Sequence, residues 1–241
     1  MHLREHEIKD ISAELETHHP IQVLEWVNRT FQPHEVTMGT GFGAEGVALI
    51  DMLVSVNRKI PIFYLDTDVL FAETYRLRER LQIRFGIRFV RYASATSLEQ
   101  QAAEYGHGLW ERDPDLCCSI RKVAPLKAAL KNRAAWITAI RRDQSASRAN
   151  ASIVERDERF GLLKINPLAF WTRTDVWDHI LSRELPYNPL HDHGYPSIGC
   201  IHCTSPVRSG ENERAGRWRG SQKTECGLHA AEVTVDREGV R

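Results

Sequence analysis

The stretch VTMGTGFGAEGVALIDMLVSV, residues 36–56, decides the fold class of this chain. Its first apolar residues, 36–38, predict a short strand, and the long apolar run over residues 44–56 predicts a helix. Three glycines fill the turn between them: Gly39, Gly41 and Gly43. A strand that passes through a tight turn into a helix is the repeating unit of an α/β fold.

The same order of elements continues along the chain. Further strands are predicted over residues 60–65, 87–92 and 136–140, and further helices over residues 71–84 and 172–183. This alternation predicts an open, mainly parallel sheet with helices on both faces. Such sheets bind ligands at the carboxyl ends of their strands, so we expect the site at the turns after Met38, Leu65 and Ile140.

The two ends of the chain differ from this pattern. Residues 1–33 predict a helical lead-in that stops at Pro33, and residues 1–203 as a whole predict one α/β domain. Residues 204–241 have little periodicity and predict a mobile C-terminal tail that carries chemistry.

The charge of the chain excludes a general attraction to polyanions. Lys plus Arg and Asp plus Glu both total 32 among 241 residues, so we expect neither a nucleic-acid partner nor a membrane surface. The N-terminal residues MHLREHEIKD are charged where a signal peptide would be apolar, and no apolar run is long enough to cross a bilayer. These features predict a cytoplasmic protein.

Four of the five cysteines form two close pairs, Cys117-Cys118 and Cys200-x-x-Cys203. In a reducing compartment such pairs are typical of a metal or iron–sulfur site, although buried free cysteines are the simpler alternative. Adjacent ligands fit a cubane, whose irons are spread apart, better than a single zinc ion. The pattern favours a cluster, with His202 as a neighbour.

The fifth cysteine, Cys226, is a candidate nucleophile. Cationic residues lie just upstream, including Arg214, Arg217 and Lys223, and cations favour a thiolate. The alternative is an unreactive tail cysteine. The glycine turn after the first strand is also ambiguous, because it suits a phosphate as well as it suits a simple tight turn.

Seven motifs together resemble the assimilatory adenylylsulfate and phosphoadenylylsulfate reductases over roughly residues 33–229. They are Gly41-Phe42-Gly43-Ala44-Glu45, Leu65-Asp66-Thr67 with Phe71-x-Glu73-Thr74, Cys117-Cys118 with Arg121-Lys122-Val123-x-Pro125-Leu126, Arg141-Arg142-Asp143-Gln144-Ser145, Ser197-Ile198-Gly199-Cys200, Gly216-Arg217-Trp218, and Lys223-Thr224-Glu225-Cys226-Gly227-Leu228-His229. The resemblance implies an adenine nucleotide alpha-hydrolase-like fold and a cytoplasmic enzyme of sulfate assimilation and cysteine biosynthesis.

The resemblance also implies the chemistry. The branch with both cysteine pairs holds one [4Fe-4S] cluster on Cys117, Cys118, Cys200 and Cys203, and it reduces adenylylsulfate (APS) to sulfite and AMP. Cys226 is then the nucleophile, which becomes S-sulfonated, and thioredoxin is the reductant.

The resemblance assigns the remaining site residues as well. Lys122, Arg214 and Arg217 match contacts to the phosphosulfate, and His229 belongs to the catalytic motif. The expected substrate-binding residues are Gly41, Phe42, Gly43, Glu45, Leu65, Asp66, Thr67, Arg141 and Arg142. Asp68 departs from the family pattern, which has glycine there, and it places a negative charge beside the expected nucleotide. Family members are often homo-oligomers, and we expect one here.

Three alternatives stay open from the sequence. The first is a phosphoadenylylsulfate (PAPS) reductase or an enzyme that accepts both substrates. The second is an adenylating enzyme on the same type of sheet, which the absence of a Ser-Gly-Gly-x-Asp-Ser loop disfavours. The third is a zinc-stapled binding module without catalysis.

Overall fold

The computed structural model describes residues 3–229, which form six strands. They are β1 (Val36–Thr40), β2 (Ile62–Asp66), β3 (Val90–Ala93), β4 (Ala135–Ile137), β5 (Val154–Asp157) and β6 (Leu162–Ile165). Their order in the sheet is β3-β2-β1-β4-β6-β5, and every neighbouring pair is parallel except β5 with β6. The order reverses direction between β1 and β4, so the crevice expected for a ligand opens there.

Two helices precede the sheet and seven others follow β1 within the described residues. They are α1 (Glu5–Leu15), α2 (Pro20–Thr30), α3 (Ala44–Val56), α4 (Ala72–Phe85), α5 (Leu98–Tyr105), α6 (Leu109–Arg112), α7 (Pro114–Cys118), α8 (Ala124–Leu130) and α9 (Arg173–Ser182). A π-helix, Ser119–Val123, joins α7 directly to α8. Short 3-10 turns cover Arg142–Gln144, Ala146–Arg148, Pro189–His193 and Ile201–Cys203.

The sheet is covered on both faces because side chains of consecutive strand residues point to opposite sides. On one face, Met38 and Ile137 join a large core formed with α1, α2, α3, α4 and α9. On the other face, Phe63 and Trp136 join Leu126 of α8 in a smaller core. Helix α3 is buried almost all round, as its apolar sequence requires.

The predicted α/β class and mainly parallel sheet are confirmed, whereas individual boundaries differ. The sequence predicts the fourth strand over residues 136–140, but β4 ends at Ile137. Its pairing with β1 stops there, because Ile137 opposite Met38 is the last pair of the two strands. The hairpin of β5 and β6 was not predicted. Its strands are short and its first strand carries charged residues, so it lacks a clear apolar alternation.

No helix within residues 3–229 is both long enough and apolar enough to span a membrane.

Candidate active site

A cleft opens at the carboxyl ends of β1 and β4, where the strand order reverses. The glycine turn after β1 forms one wall, and residues 138–140 after β4 form another. Close packing explains one glycine of this region: a Cβ on Gly46 would lie 2.7 Å from Oγ1 of Thr40. Thr40 Oγ1 in turn accepts a hydrogen bond of 3.1 Å from the Phe42 backbone N–H, which fixes the turn.

Five of the nine predicted substrate-binding residues line this cleft: Gly41, Gly43, Glu45, Leu65 and Thr67. The other four, Phe42, Asp66, Arg141 and Arg142, lie beside the cleft and contact protein groups instead. The predicted turns therefore line the cleft, whereas neighbouring residues decide the direction of each side chain.

Phe42 and Asp66 each contact side chains of the protein beside the cleft. Phe42 is buried with its ring 5.0 Å from that of Phe89. The Asp66 carboxylate accepts hydrogen bonds from Tyr75 Oη at 2.7 Å and Arg91 Nε at 2.7 Å. Burial alone would raise the pKa of Asp66, but these donors outweigh it and lower the pKa. Asp66 is therefore an anchor for the turn after β2.

The two arginines after β4 also have different surroundings. Arg141 is fully buried and pairs with Glu45 at 3.0 Å and Glu213 at 3.2 Å, both of which line the cleft. Arg142 donates to the Ala151 carbonyl at 2.7 Å, outside the cleft wall. Arg141 thus holds the acidic side of the cleft in place.

Asp68 does not leave an unpaired charge near the cleft. Its carboxylate pairs with Arg91 at 2.7 Å and with the buried Arg121 at 3.0 Å. Its backbone φ is +60°, a conformation that glycine adopts at little cost and that other residues adopt less readily. The two arginines offset the negative charge of Asp68.

Cys118, Cys200 and Cys203 pack in one buried cluster with Trp218, and Cys200 also lines the cleft. All five cysteines of the chain are free, and Cys117, Cys118, Cys200 and Cys203 are each buried. Burial, and after it the neighbouring Cys200, raises the pKa values of Cys117 and Cys203. Burial likewise raises the pKa of Cys118 to about 11. Within residues 3–229, however, no three His, Cys, Asp or Glu side chains converge as ligands of one ion.

Four cations surround the indole of Trp218, which is buried with 4% of its surface exposed. The distances to the ring centre are 5.8 Å for Lys122, 6.0 Å for Arg214, 4.5 Å for Arg217 and 5.6 Å for Lys223. The negative face of an indole attracts cations, so Trp218 lets these like charges approach each other. Three of them, Lys122, Arg214 and Arg217, also line the cleft.

Cys226 lies in the same wall of the cleft as these cations. Burial opposes its thiolate form, but Lys122 and Arg217 outweigh burial and lower the pKa of Cys226, and the Leu228 backbone N–H lowers it further. The predicted nucleophile, Cys226, is thus next to three predicted cationic residues. The Lys122 ammonium is buried, yet Cys200, Cys226 and Cys118 raise its pKa.

The C-terminal segment, residues 204–229, is packed against the domain. Glu225 pairs with Arg148 at 3.0 Å and with Arg214 at 3.0 Å. The ring of His229 stacks on Trp136 with 5.5 Å between centres. Whether this segment moves, as the sequence predicts, stays a prediction, and residues 230–241 of the predicted tail lie outside the described residues.

Arg148 is a cleft residue that the sequence reasoning missed. It follows the Arg141-Arg142 pair by six to seven positions, and the basic character of this stretch was the only available signal. Trp136 was predicted as a strand residue, and its side chain also lines the cleft. Periodicity cannot show either contact, since both depend on a segment that is distant in sequence.

The sequence model of the phosphoadenosine phosphosulfate reductase domain matches residues 35–206 of this chain. The chain belongs to that family. It is 45% identical over 227 residues to an adenosine 5′-phosphosulfate reductase of Salinibacter ruber, which covers 94% of this chain and 90% of that protein. It is also 45% identical over 210 residues to adenosine 5′-phosphosulfate reductase 1 of Bacillus subtilis, covering 87% of this chain and 90% of that one.

Solved structures agree with this family. A phosphoadenylyl-sulfate reductase from Candida auris, solved as a phosphate complex, superposes with a TM-score of 0.76 at 30% identity over 86% of this chain and 99% of that chain. An FMN adenylyltransferase from Candida glabrata has a TM-score of 0.57 at 13% identity, covering 86% of this chain and 69% of its own. The second likeness shows the fold alone. The predicted family and fold are confirmed.

Proposed function

We propose that this chain is a thioredoxin-dependent APS reductase that acts through an S-sulfocysteine on Cys226. One observation carries the proposal: Cys226 lies beside Lys122, Arg214 and Arg217 in the wall of a cleft at the switch point of the sheet. A nucleophilic thiolate and three cations suit a substrate whose reactive end is an anionic phosphate–sulfate anhydride. The names of the similar adenosine 5′-phosphosulfate reductases support the same substrate.

The first step transfers the sulfonyl group. The Cys226 thiolate attacks the sulfate sulfur, a sulfur–sulfur bond forms, and the bond from sulfur to the bridging oxygen breaks. The electron pair of that bond leaves with AMP, which is a far better leaving group than oxide. Lys122, Arg214 and Arg217 stabilise the negative charge that develops on the bridging oxygen.

The second step releases sulfite. A thiolate of reduced thioredoxin attacks the Cys226 sulfur, and the electron pair of the sulfur–sulfur bond departs with sulfite. The second thiol of thioredoxin then displaces Cys226 from the mixed disulfide. Two electrons pass from the dithiol to sulfur, and thioredoxin is oxidised to a disulfide.

The neighbouring cysteines fit a [4Fe-4S] cluster. Cys117, Cys118, Cys200 and Cys203 are buried and form no disulfides, and Cys118, Cys200 and Cys203 pack in one cluster. A single zinc ion needs ligands that converge on one point, whereas the ligands of a cubane each bind a different iron. Such a cluster, when bound, would tune the electrostatics around Lys122 without net electron transfer.

The glycine side of the cleft suits the nucleoside. Glu45 occupies the first turn of α3, so the positive end of that helix dipole already faces a carboxylate. The phosphosulfate is then better placed at Lys122, Arg214 and Arg217, on the cationic side of the cleft. The turn residues Gly41 and Gly43, which line the cleft, remain available for the ribose and the adenine.

The decisive experiment combines turnover with metal analysis on anaerobically purified protein. With APS and reduced thioredoxin, we expect AMP and sulfite to form in equal amounts, and we expect iron and acid-labile sulfide near four each per chain. Cys226→Ser should abolish turnover and keep the iron. Stoichiometric zinc without sulfide would reject the cluster, and unchanged turnover in Cys226→Ser would reject the mechanism.

The same assay with PAPS in place of APS tests the alternative substrate. We expect turnover with APS and little with the 3′-phosphate form. Activity restricted to PAPS would assign the chain to the other branch of the family, and equal activity would make it a dual-specificity enzyme.

A further inference from the structure

Arg159 contacts the backbone on the C-terminal side of Cys226. It lies in the turn between β5 and β6, and its Nη1 and Nη2 donate hydrogen bonds of 2.6 Å to the carbonyls of Gly227 and Leu228. These carbonyls belong to the turn formed by residues 226–228, which we call the Cys226 turn. The guanidinium therefore holds two consecutive carbonyls next to the nucleophile.

Arg159 is itself held in place. Its Nε and Nη2 donate to the two carboxylate oxygens of Asp157 at 3.2 Å each. Asp157 is the last residue of β5 and is buried, so the pair is anchored in the sheet. A bidentate arginine–carboxylate pair restricts the plane of the guanidinium. The carbonyls of the Cys226 turn therefore accept hydrogen bonds from a guanidinium whose orientation is fixed.

The Gly227 carbonyl and the Leu228 N–H belong to one planar peptide group and point in opposite directions. Arg159 binds the Gly227 carbonyl at 2.6 Å, so it fixes the plane of the peptide group between Gly227 and Leu228, one residue after the nucleophile. The φ of Gly227 is +78°, a conformation that glycine adopts at little cost because it has no side chain.

Side-chain contacts after the turn reinforce this position. Leu228 packs against the smaller core on the α8 face of the sheet. His229 stacks on Trp136, a strand residue of the same face. The Cys226 turn is thus held by the arginine on one side and by apolar contacts just beyond it.

We propose that Arg159, held by Asp157, positions the Cys226 turn so that the sulfur faces the sulfonyl group of the bound substrate. This inference rests on the proposed function. Arg159 itself lies outside the wall of the cleft, so it acts on the placement of the nucleophile and not on substrate binding. A displaced nucleophile slows attack even when the substrate is bound normally.

The test is a single-turnover experiment. Enzyme is mixed with excess APS without reductant, quenched in acid, and the S-sulfonated form of Cys226 is quantified by mass spectrometry over time. We expect Arg159→Ala to lower the rate of S-sulfonation roughly 10- to 100-fold, as loss of charged hydrogen bonds that orient a reacting group should. The dissociation constant of APS, measured in the Cys226→Ser background, should change less than about twofold.

Two further variants separate positioning from stability. Arg159→Lys keeps a cation that can reach one carbonyl, so it should recover part of the rate even if Arg159→Ala unfolds. Arg156→Ala removes an arginine of the same hairpin that donates to the Leu3 carbonyl, and it should react like the wild type.

The outcomes are distinct. An S-sulfonation rate in Arg159→Ala and Arg159→Lys equal to that of the wild type would overturn the inference and leave the proposed function intact. Equal losses of APS affinity and rate in a folded variant would also overturn it. A wild-type protein that forms no S-sulfocysteine with APS would overturn the proposed function first.

Discussion

At the residue scale, Lys122 is a buried cation next to the proposed nucleophile, Cys226. Burying an ammonium costs free energy unless nearby charges compensate for lost hydration. Here the compensation comes from the ring of Trp218 and from Cys200 and Cys226, which raise the pKa of Lys122. The charge is therefore retained beside the nucleophile, where a developing negative charge needs it.

Replacing Lys122 tests this role. Lys122→Met keeps most of the side-chain volume and removes the charge, so we expect kcat/KM for APS to fall by about 100-fold or more. Iron content should be measured on the same sample to show that the cysteine site is intact. Lys127→Met, an exposed lysine on α8, is the matched control and should retain activity. Turnover of Lys122→Met within threefold of the wild type would contradict the role.

At the element scale, the π-helix Ser119–Val123 sets the relation between the cysteines and Lys122. It lies between α7, which ends with Cys117 and Cys118, and α8. A π-turn contains more residues than an α-turn, and such turns are frequent at functional sites. Here it lets buried Lys122 face the cleft while Cys117 and Cys118 face the other paired cysteines.

Deleting one residue of this element should convert it to continuous α-helix. Removal of the exposed Ser119 would rotate Lys122 by about 100° relative to the two cysteines. We expect far-UV circular dichroism to show retained helix while turnover with APS is lost. Ser119→Ala is the control and should be fully active. A deletion variant with normal turnover would show that the π-turn has no part in the site.

The C-terminal segment should respond to pH through His229. Burial, and after it the charges of Arg148, Lys164 and Arg159, lowers the pKa of His229 well below its ordinary value of about 6.5. Because the pKa of His229 is lower when the segment is docked than when it is undocked, the undocked segment binds the proton more tightly. Docking is therefore strongest above the ordinary pKa and weakens as the pH falls below about 6.5.

Hydrogen exchange measures this effect. After correction for intrinsic exchange rates, protection of residues 222–229 should decrease between about pH 7.5 and pH 5.5 in the wild type. His229→Gln, which cannot titrate, should show a flat profile. Exchange in the buried helix α3 serves as the reference for global stability. A pH-dependent profile in His229→Gln would assign the effect to another group.

At the scale of the whole molecule, one ion-pair group connects the core helix α3 to α9. The Asp51 carboxylate lies 3.0 Å from Nε2 of His179 and 2.7 Å from Nε of Arg183. Burial alone would raise the pKa of Asp51, but His179 and Arg183 outweigh it and lower the pKa. Asp51, His179 and Arg183 do not line the cleft, so we expect them to contribute to stability and not to catalysis.

Asp51→Asn should lower the free energy of unfolding by about 1–3 kcal/mol at pH 7 and leave kcat at lower temperature unchanged. The lowered pKa means that the carboxylate stabilises the fold above the ordinary value of about 3.9 and loses this effect as the pH falls. The difference in the free energy of unfolding between Asp51→Asn and the wild type should thus become smaller towards pH 3. Asp178→Asn, an exposed residue of α9, is the control for denaturant unfolding at each pH.

The fold class and the family were predictable because both reside in contiguous motifs, whereas the roles of the site residues stay predictions. The glycine turn of residues 36–56 gives a βα unit, and residue types such as Cys226 and Lys122 have the same chemistry in any fold. The family model matches residues 35–206, a range that contains most of the motifs on which the resemblance rests. The hairpin of β5 and β6 was missed because short, charged strands have no local pattern of their own.

The sequence by itself determined the family and the class of the fold, an open and mainly parallel sheet. Tertiary structure alone decided which of two nearby residues lines the cleft. Thr67 lines it and Asp66 does not, and Arg148 lines it and Arg141 does not. It also decided that Arg159 binds the carbonyls of the Cys226 turn, 68 residues away along the chain. The physical reason is that residue chemistry is local, whereas the direction of a side chain is set by whichever distant segment packs against it.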